Sequence, residues 1–213
     1  MRRSNVMPVA LFSALVALAM LVSDNADIRR ADARAVASAH GEALHGDAWW
    51  SPAVTHLADV PTIFVLTALG AIVLSMLGRE RDALALGLAV AMTEVAVAVF
   101  KRVVERARPP ASLAVSSADG FGFPSGHAAA SVAAYGVLAA ILVASIHGRA
   151  RFAVLLGVVV GVVAVGASRV LLGVHYPTDV IAGWLCGATF SLIAWRASAP
   201  LAAWREAWMG SRN

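Results

Sequence analysis

The chain has 213 residues, 60% of them hydrophobic and only 14% charged, with a mean hydropathy of +0.76. Soluble globular domains carry about 25% charged residues, so this composition excludes an ordinary soluble enzyme and implies a membrane protein. The formal net charge of +4 comes from 17 Lys+Arg against 13 Asp+Glu, with no basic run of the kind that holds nucleic acid.

Apolar runs long enough to cross about 30 Å of hydrocarbon fall roughly at 6–22, 60–78, 83–100, 127–146, 152–171 and 177–196. They consist of Leu, Val and Ala in unbroken blocks, without the alternation a membrane strand needs. The expected fold is all-α, a polytopic membrane protein built as a six-transmembrane-helix bundle. The first run follows Met1-Arg2-Arg3 as a signal peptide would, but it is long and no small-x-small site stands directly behind it. It is expected to be a retained helix. No Pro/Gly/Ser linker divides the chain, so residues 1–213 are expected to form a single domain. The one cysteine, Cys186, lies in the last run, where helix packing is its expected role.

Between the first two runs, residues 24–58 form the longest polar insertion, with helical spacing in part. A surface helix and loop over the bundle is expected there, ending at Trp49 and Trp50, where indoles prefer the membrane interface. His40, His45 and His56 in this segment lack the spacing of a metal site. In the fifth run, Gly157 and Gly161 form a small-xxx-small pair that predicts close helix packing within the monomer. Behind Pro200, the spacing of Leu201, Trp204 and Trp208 predicts a short amphipathic helix on the membrane face.

Orientation follows from the basic residues of the short loops. Arg2, Arg3, Arg79, Arg81, Arg149, Arg151, Arg196, Arg205 and Arg212 fall on one side, nine against eight on the other. The opposing eight include Arg29, Arg30 and Arg34, which are diluted by Asp24, Asp27, Asp32 and Glu42. By the positive-inside rule both termini are expected in the cytoplasm.

Three polar clusters interrupt the apolar pattern on the other side. The first closes the third run: if the helix continues past Phe100, then Lys101, Glu105 and Arg108 share one face over two turns before Pro109-Pro110 stops it. Glu94 lies a further heptad below on that face, where an acid is costly unless it finds a partner inside the bundle. Glu105, between the two cations, is expected to temper their charge. The second cluster opens the fourth run: Ser125 is placed to cap a helix beginning with Gly126 and His127, and a helix N-terminus is an anion site. The third is the bend SRVLLGVHYPTD. Ser168 and Arg169 end one run there, and Asp179, four residues after His175, stands behind Pro177 in the first turn of the next.

Six spans bring the ends of the third and fifth and the starts of the fourth and sixth to one surface. Three cations, a helix N-terminus and two histidines then meet, an inventory suited to neutralising a phosphoryl group. A neutral His175 can attack phosphorus while Asp179 stabilises the charge that develops. His127 can protonate the leaving oxygen and then activate water. No metal or other cofactor is called for, since HExxH, paired CxxC and P-loop patterns are all missing.

Lys101-x6-Arg108-Pro109, then Pro124-Ser125-Gly126-His127, then Ser168-Arg169-x5-His175-x3-Asp179 resemble the three-part signature of the type 2 phosphatidic acid phosphatases, the membrane lipid phosphate phosphatases. Vanadium haloperoxidases share the motifs but are soluble and larger. The resemblance implies a metal-independent phosphatase with His175 as nucleophile, Asp179 as its orienter and His127 as acid and base. Lys101, Arg108, Ser125, Gly126 and Arg169 would hold the phosphate.

The expected function is hydrolysis of undecaprenyl diphosphate, phosphatidylglycerol phosphate or phosphatidic acid through a phosphohistidine. The alternatives are a lipid phosphotransferase using a lipid diphosphate donor and a non-catalytic transporter of anionic lipid. The partners expected are the lipid phosphate and the bilayer, with no nucleic acid and no obligatory protein. The location expected is a bacterial-type inner membrane with the site facing outward.

Overall fold

The structure, a computed structural model, describes residues 6–44 and 49–210, with side chains left aside for 42–44 and 202–210. His45, Arg2, Arg3 and Arg212 lie outside the described residues, as do the Trp204 and Trp208 side chains expected to form an amphipathic face. The described chain is helical, without strands: α1 (Val6–Asp24), α2 (Ala26–Leu44), α3 (Ser51–Thr55), α4 (Val60–Met76), α5 (Glu80–Val104), α6 (Gly126–Ser131), α7 (Val137–Val143), α8 (Gly148–Leu171) and α9 (Pro177–Gly210). A π turn, Val132–Gly136, joins α6 to α7, so Gly126–Val143 runs as one span.

Among the described residues, five helices are long and apolar enough to cross a membrane. The bent pair Ser51–Ala58 and Val60–Met76, meeting at 50°, makes a sixth if the two count as one span. The break falls at Asp59, whose backbone is extended (φ −64°, ψ 147°).

The central helix, α5, opens with Glu80 and Asp82 and closes with Lys101 and Arg102, charges that complement the helix dipole at both ends. It stops earlier than the sequence suggested. Glu105 takes a left-handed conformation (φ 48°), and its N–H caps the Lys101 carbonyl at 3.1 Å. Pro109 and Pro110 have no N–H to give the carbonyls of Glu105 and Arg106, so another helical turn would leave these unpaired. Lys101, Glu105 and Arg108 therefore do not share a helical face; Lys101 is on the last turn and Arg108 on the loop beyond it.

α9 packs most extensively against α5 and also closes on α1 and α6. Leu15, Val22, Val97, Phe123 and Cys186 form one buried cluster where α1, α5 and α9 meet. At α6 the contact is backbone to backbone: a Cβ on Gly183 would stand 2.5 Å from the Ser125 carbonyl oxygen, and one on Gly187 2.4 Å from that of Ala129. Gly173 turns the chain between α8 and α9 at φ +68°, with Leu113 O only 2.0 Å from where its Cβ would be.

Two expectations need correction. Gly157 and Gly161 face open space, with nothing within 4 Å of an added Cβ, and the close approach in α8 is instead at Gly166 against Val180 and Trp184. No separate helix follows Pro200: α9 runs through it to Gly210. The missing N–H leaves one carbonyl, that of Arg196, without its ladder bond, which a long helix tolerates.

Candidate active site

The C-terminal ends of α5 and α8, the N-terminal ends of α4 and α6 and the bend before α9 surround a cavity of about 310 Å³. Six of the eight predicted site residues line it: Lys101, Arg108, Gly126, His127, Arg169 and His175. Ser125 and Asp179 are fully buried beside it, joined through their backbones by the Ser125 N–H donating to the Asp179 carbonyl at 2.9 Å. Glu94 lines the same cavity two turns below Lys101. A larger apolar groove of about 580 Å³ lies on the opposite face of α5, between Phe12, Val99 and Phe190, and holds no polar group.

The cations are held mainly by carbonyls, which leaves their charge undiminished. Lys101 Nζ donates to Phe121 O at 2.8 Å. Arg108 donates from Nε to Gly120 O, from Nη2 to Asp119 O and from Nη1 to Val174 O, all at 2.9–3.0 Å. Arg169 Nη1 donates to Thr55 Oγ1 at 2.6 Å, while its buried Nε has no partner among the described residues. Ser125 occupies the N-cap position of α6 with extended backbone, but its hydroxyl makes no cap bond. Its buried Oγ is unpaired among the described residues, so a donor remains at the foot of the helix.

His175 is 2% exposed. Its Nε2 lies 3.0 Å from Arg108 Nη1, and because a guanidinium can only donate, this nitrogen carries the lone pair. Its Nδ1 stands 3.6 Å from Asp179 Oδ2, an ion-pair distance but beyond hydrogen-bond reach. Burial pushes the His175 pKa down to about 4, against the raising effect of Asp179. The imidazole is thus neutral at ordinary pH, its lone pair toward the cavity.

His127 is more accessible. Its Nε2 lies 2.8 Å from Asp59 Oδ1, and Asp59 Oδ2 lies 2.6 Å from His56 Nδ1.

A protein-family model described as the PAP2 superfamily matches residues 82–201, more than half of the chain. The chain belongs to the PAP2 superfamily. It is 38% identical over 132 residues to decaprenylphosphoryl-5-phosphoribose phosphatase of Mycobacterium tuberculosis, covering 61% of this chain and 67% of that protein. It is 38% identical over 91 residues to phosphatidylglycerophosphatase B of Bacillus subtilis, covering 42% of this chain and 44% of that relative, so this match spans less than half of it. In fold it is similar to the crystal structure of a transmembrane PAP2 type phosphatidylglycerolphosphate phosphatase from Bacillus subtilis, with a TM-score of 0.76 and 28% identity over 88% of this chain and 93% of that one. The all-α, polytopic membrane fold read from the sequence is borne out, and the chain is an integral membrane protein.

Several polar residues around this PAP2 site were not singled out by sequence reasoning. Arg106, inside the first motif but not one of its fixed positions, donates from Nη1 to Asp179 Oδ1 and from Nη2 to Asp32 Oδ2, both at 2.6 Å. It also stacks 4.5 Å over the Tyr176 ring. Asp32, on α2, accepts from the Thr178 N–H at 3.2 Å and from its hydroxyl. Asp32, Thr55 and Asp59 all precede the family match, so the polar insertion expected to lie over the bundle reaches the surroundings of Asp179 and Arg169, and the residue directly after it reaches His127. Pro61 directly after an Asp-Val pair was a readable helix-start signal at Asp59, but nothing local linked that residue to His127.

Proposed function

We propose that this protein is a lipid phosphatase that hydrolyses a phosphomonoester or diphosphate at the outer surface of a bacterial-type inner membrane, with phosphatidylglycerol phosphate as the first candidate substrate. The observation that carries this reading is the convergence of His175, His127 and three cations on one cavity.

The lone pair on His175 Nε2 attacks phosphorus, and Arg108, which holds that nitrogen at 3.0 Å, turns its N–H to a phosphate oxygen. Lys101, Arg169 and the N–H groups of α6 neutralise the remaining equatorial oxygens. As the P–O bond breaks, the leaving oxygen takes a proton from His127, and the product is the lipid alcohol, or the lipid monophosphate from a diphosphate. The positive charge on the phosphorylated ring is stabilised by the Asp179 carboxylate that faces Nδ1 at 3.6 Å. Water then attacks phosphorus, giving its proton to His127 and releasing inorganic phosphate and neutral His175.

The resemblance in fold to a phosphatidylglycerolphosphate phosphatase over 93% of that chain supports the choice of first substrate. Nine basic residues in the loops and terminal segments opposite the site, against eight on its own side, support cytoplasmic termini and an outward-facing cavity. In this reading residues 1–213 act as a single domain, since no Pro/Gly/Ser linker divides them.

The test is inorganic phosphate release by the purified protein in detergent with EDTA, from phosphatidylglycerol phosphate, phosphatidic acid and undecaprenyl diphosphate in turn. Release is expected from the wild type, with His175→Ala reduced by about 10³-fold or more. Full activity in His175→Ala would overturn the mechanism.

A further inference from the structure

We propose that Asp59 is the positioning carboxylate of His127, giving the second histidine of the site the kind of partner that Asp179 gives the first. The inference rests on the reading of His127 as acid and base.

Asp59 stands where α4 begins, a position at which an aspartate ordinarily accepts a bond from the N–H groups of the first turn. It makes no such cap bond, and Pro61 follows in that turn. Both carboxylate oxygens go to imidazoles instead: Oδ1 lies 2.8 Å from His127 Nε2 and Oδ2 lies 2.6 Å from His56 Nδ1. The extended backbone at the 50° break between α3 and α4 aims the side chain back at α6.

The chemistry of the pair fixes a role. An ionised carboxylate only accepts, so the neutral His127 ring keeps its proton on Nε2 and presents Nδ1 to the reacting oxygen. The leaving-group proton then passes through Nδ1, and the imidazolium that donates it is stabilised by Asp59. Three cations, Lys101, Arg108 and Arg169, line the same cavity, and each opposes a second proton on His127. Asp59 offsets them from outside the phosphate pocket, where it does not repel the substrate. His56, side chain 71% exposed, holds the second oxygen and so fixes the carboxylate plane.

A proton donor matters only when the leaving group needs a proton. The test therefore compares kcat/KM, which reports the steps up to departure of the alcohol, for a lipid alkyl phosphate and for p-nitrophenyl phosphate, whose leaving group departs as the anion. For Asp59→Asn, a loss of about 10- to 100-fold on the lipid and of less than about 3-fold on p-nitrophenyl phosphate is expected. The same split is expected in His127→Ala, and partial recovery on the lipid in Asp59→Glu. Equal losses on both substrates in Asp59→Asn, or none on either, would overturn the role of Asp59 while leaving that of His127 standing. An unimpaired His127→Ala would instead overturn the acid–base reading beneath it. A second measurement needs no variant: ¹⁵N NMR of the wild-type protein should find neutral His127 protonated at Nε2, and protonation at Nδ1 would refute the proposal.

Discussion

The two histidines of the cavity are built differently. His175 is sealed, 2% exposed, and its carboxylate comes from the same bend, four residues on. The His127 side chain is 22% exposed, and its carboxylate comes from a helix start 68 residues earlier. The difference follows the work proposed for each. A nucleophile gains from a dry, fixed setting that keeps its lone pair unprotonated. A group that exchanges protons with a leaving oxygen and then with water needs solvent within reach.

The largest effect that would sharpen this contrast lies on the His175 side. Arg106→Gln leaves Asp32 and Asp179, both buried, without the cation between them, a loss of the kind that costs about 3–5 kcal/mol. Its melting temperature should fall clearly, and kcat/KM should drop about 100-fold on lipid and p-nitrophenyl phosphate alike, because Asp179 serves the attack itself. A loss confined to the lipid substrate would mean that Arg106 belongs with the His127 half.

An intermediate effect concerns pH. The His175 pKa is about 4 in the folded protein, below its ordinary value of 6.5, so the unfolded chain binds the proton first. The contribution of His175 to stability is therefore complete above about pH 6.5 and is lost as pH falls toward 4. Thermal melting in detergent should show this decline, and His175→Gln should remove part of it; identical pH dependence in the two proteins would contradict the sealed setting. The smallest effect is expected from His56→Ala, which removes only the second partner of Asp59: less than about 3-fold on the lipid substrate and none on p-nitrophenyl phosphate. A His56→Ala loss as large as that of Asp59→Asn would make His56 an equal member of the pair.

What the sequence made legible follows from range. Spans could be read because burial in lipid demands long apolar runs, and the residues around the cavity because their spacings repeat a short-range pattern: Lys101 to Arg108, Ser125 to His127, Arg169 to Asp179. Arg106 sat between two motif positions and could not be told from a snorkelling cation. The partners Asp32, Thr55 and Asp59 lie 146, 114 and 68 residues from the groups they meet at Thr178, Arg169 and His127, and no periodicity connects such distances. Glycines gave the opposite lesson. Gly157 and Gly161 had the spacing of a packing motif and face open space, whereas Gly183 and Gly187 carry the contact between helices.

That contact has a mechanical meaning. With α9 resting on the backbone of α6, and Ser125 N–H bonded to Asp179 O, the second and third motifs form one stiff wedge, with His127 and His175 mounted on either side of it. The spacing of the two backbone segments that carry these histidines is thereby set by main-chain contact. Room for a larger head group must then come from the other wall of the cavity, where Ser117, Ala118 and Asp119 face it from a loop and Val60 from the first turn of α4. Side-chain variation in that wall changes the room beside the histidines without touching the contact between α6 and α9.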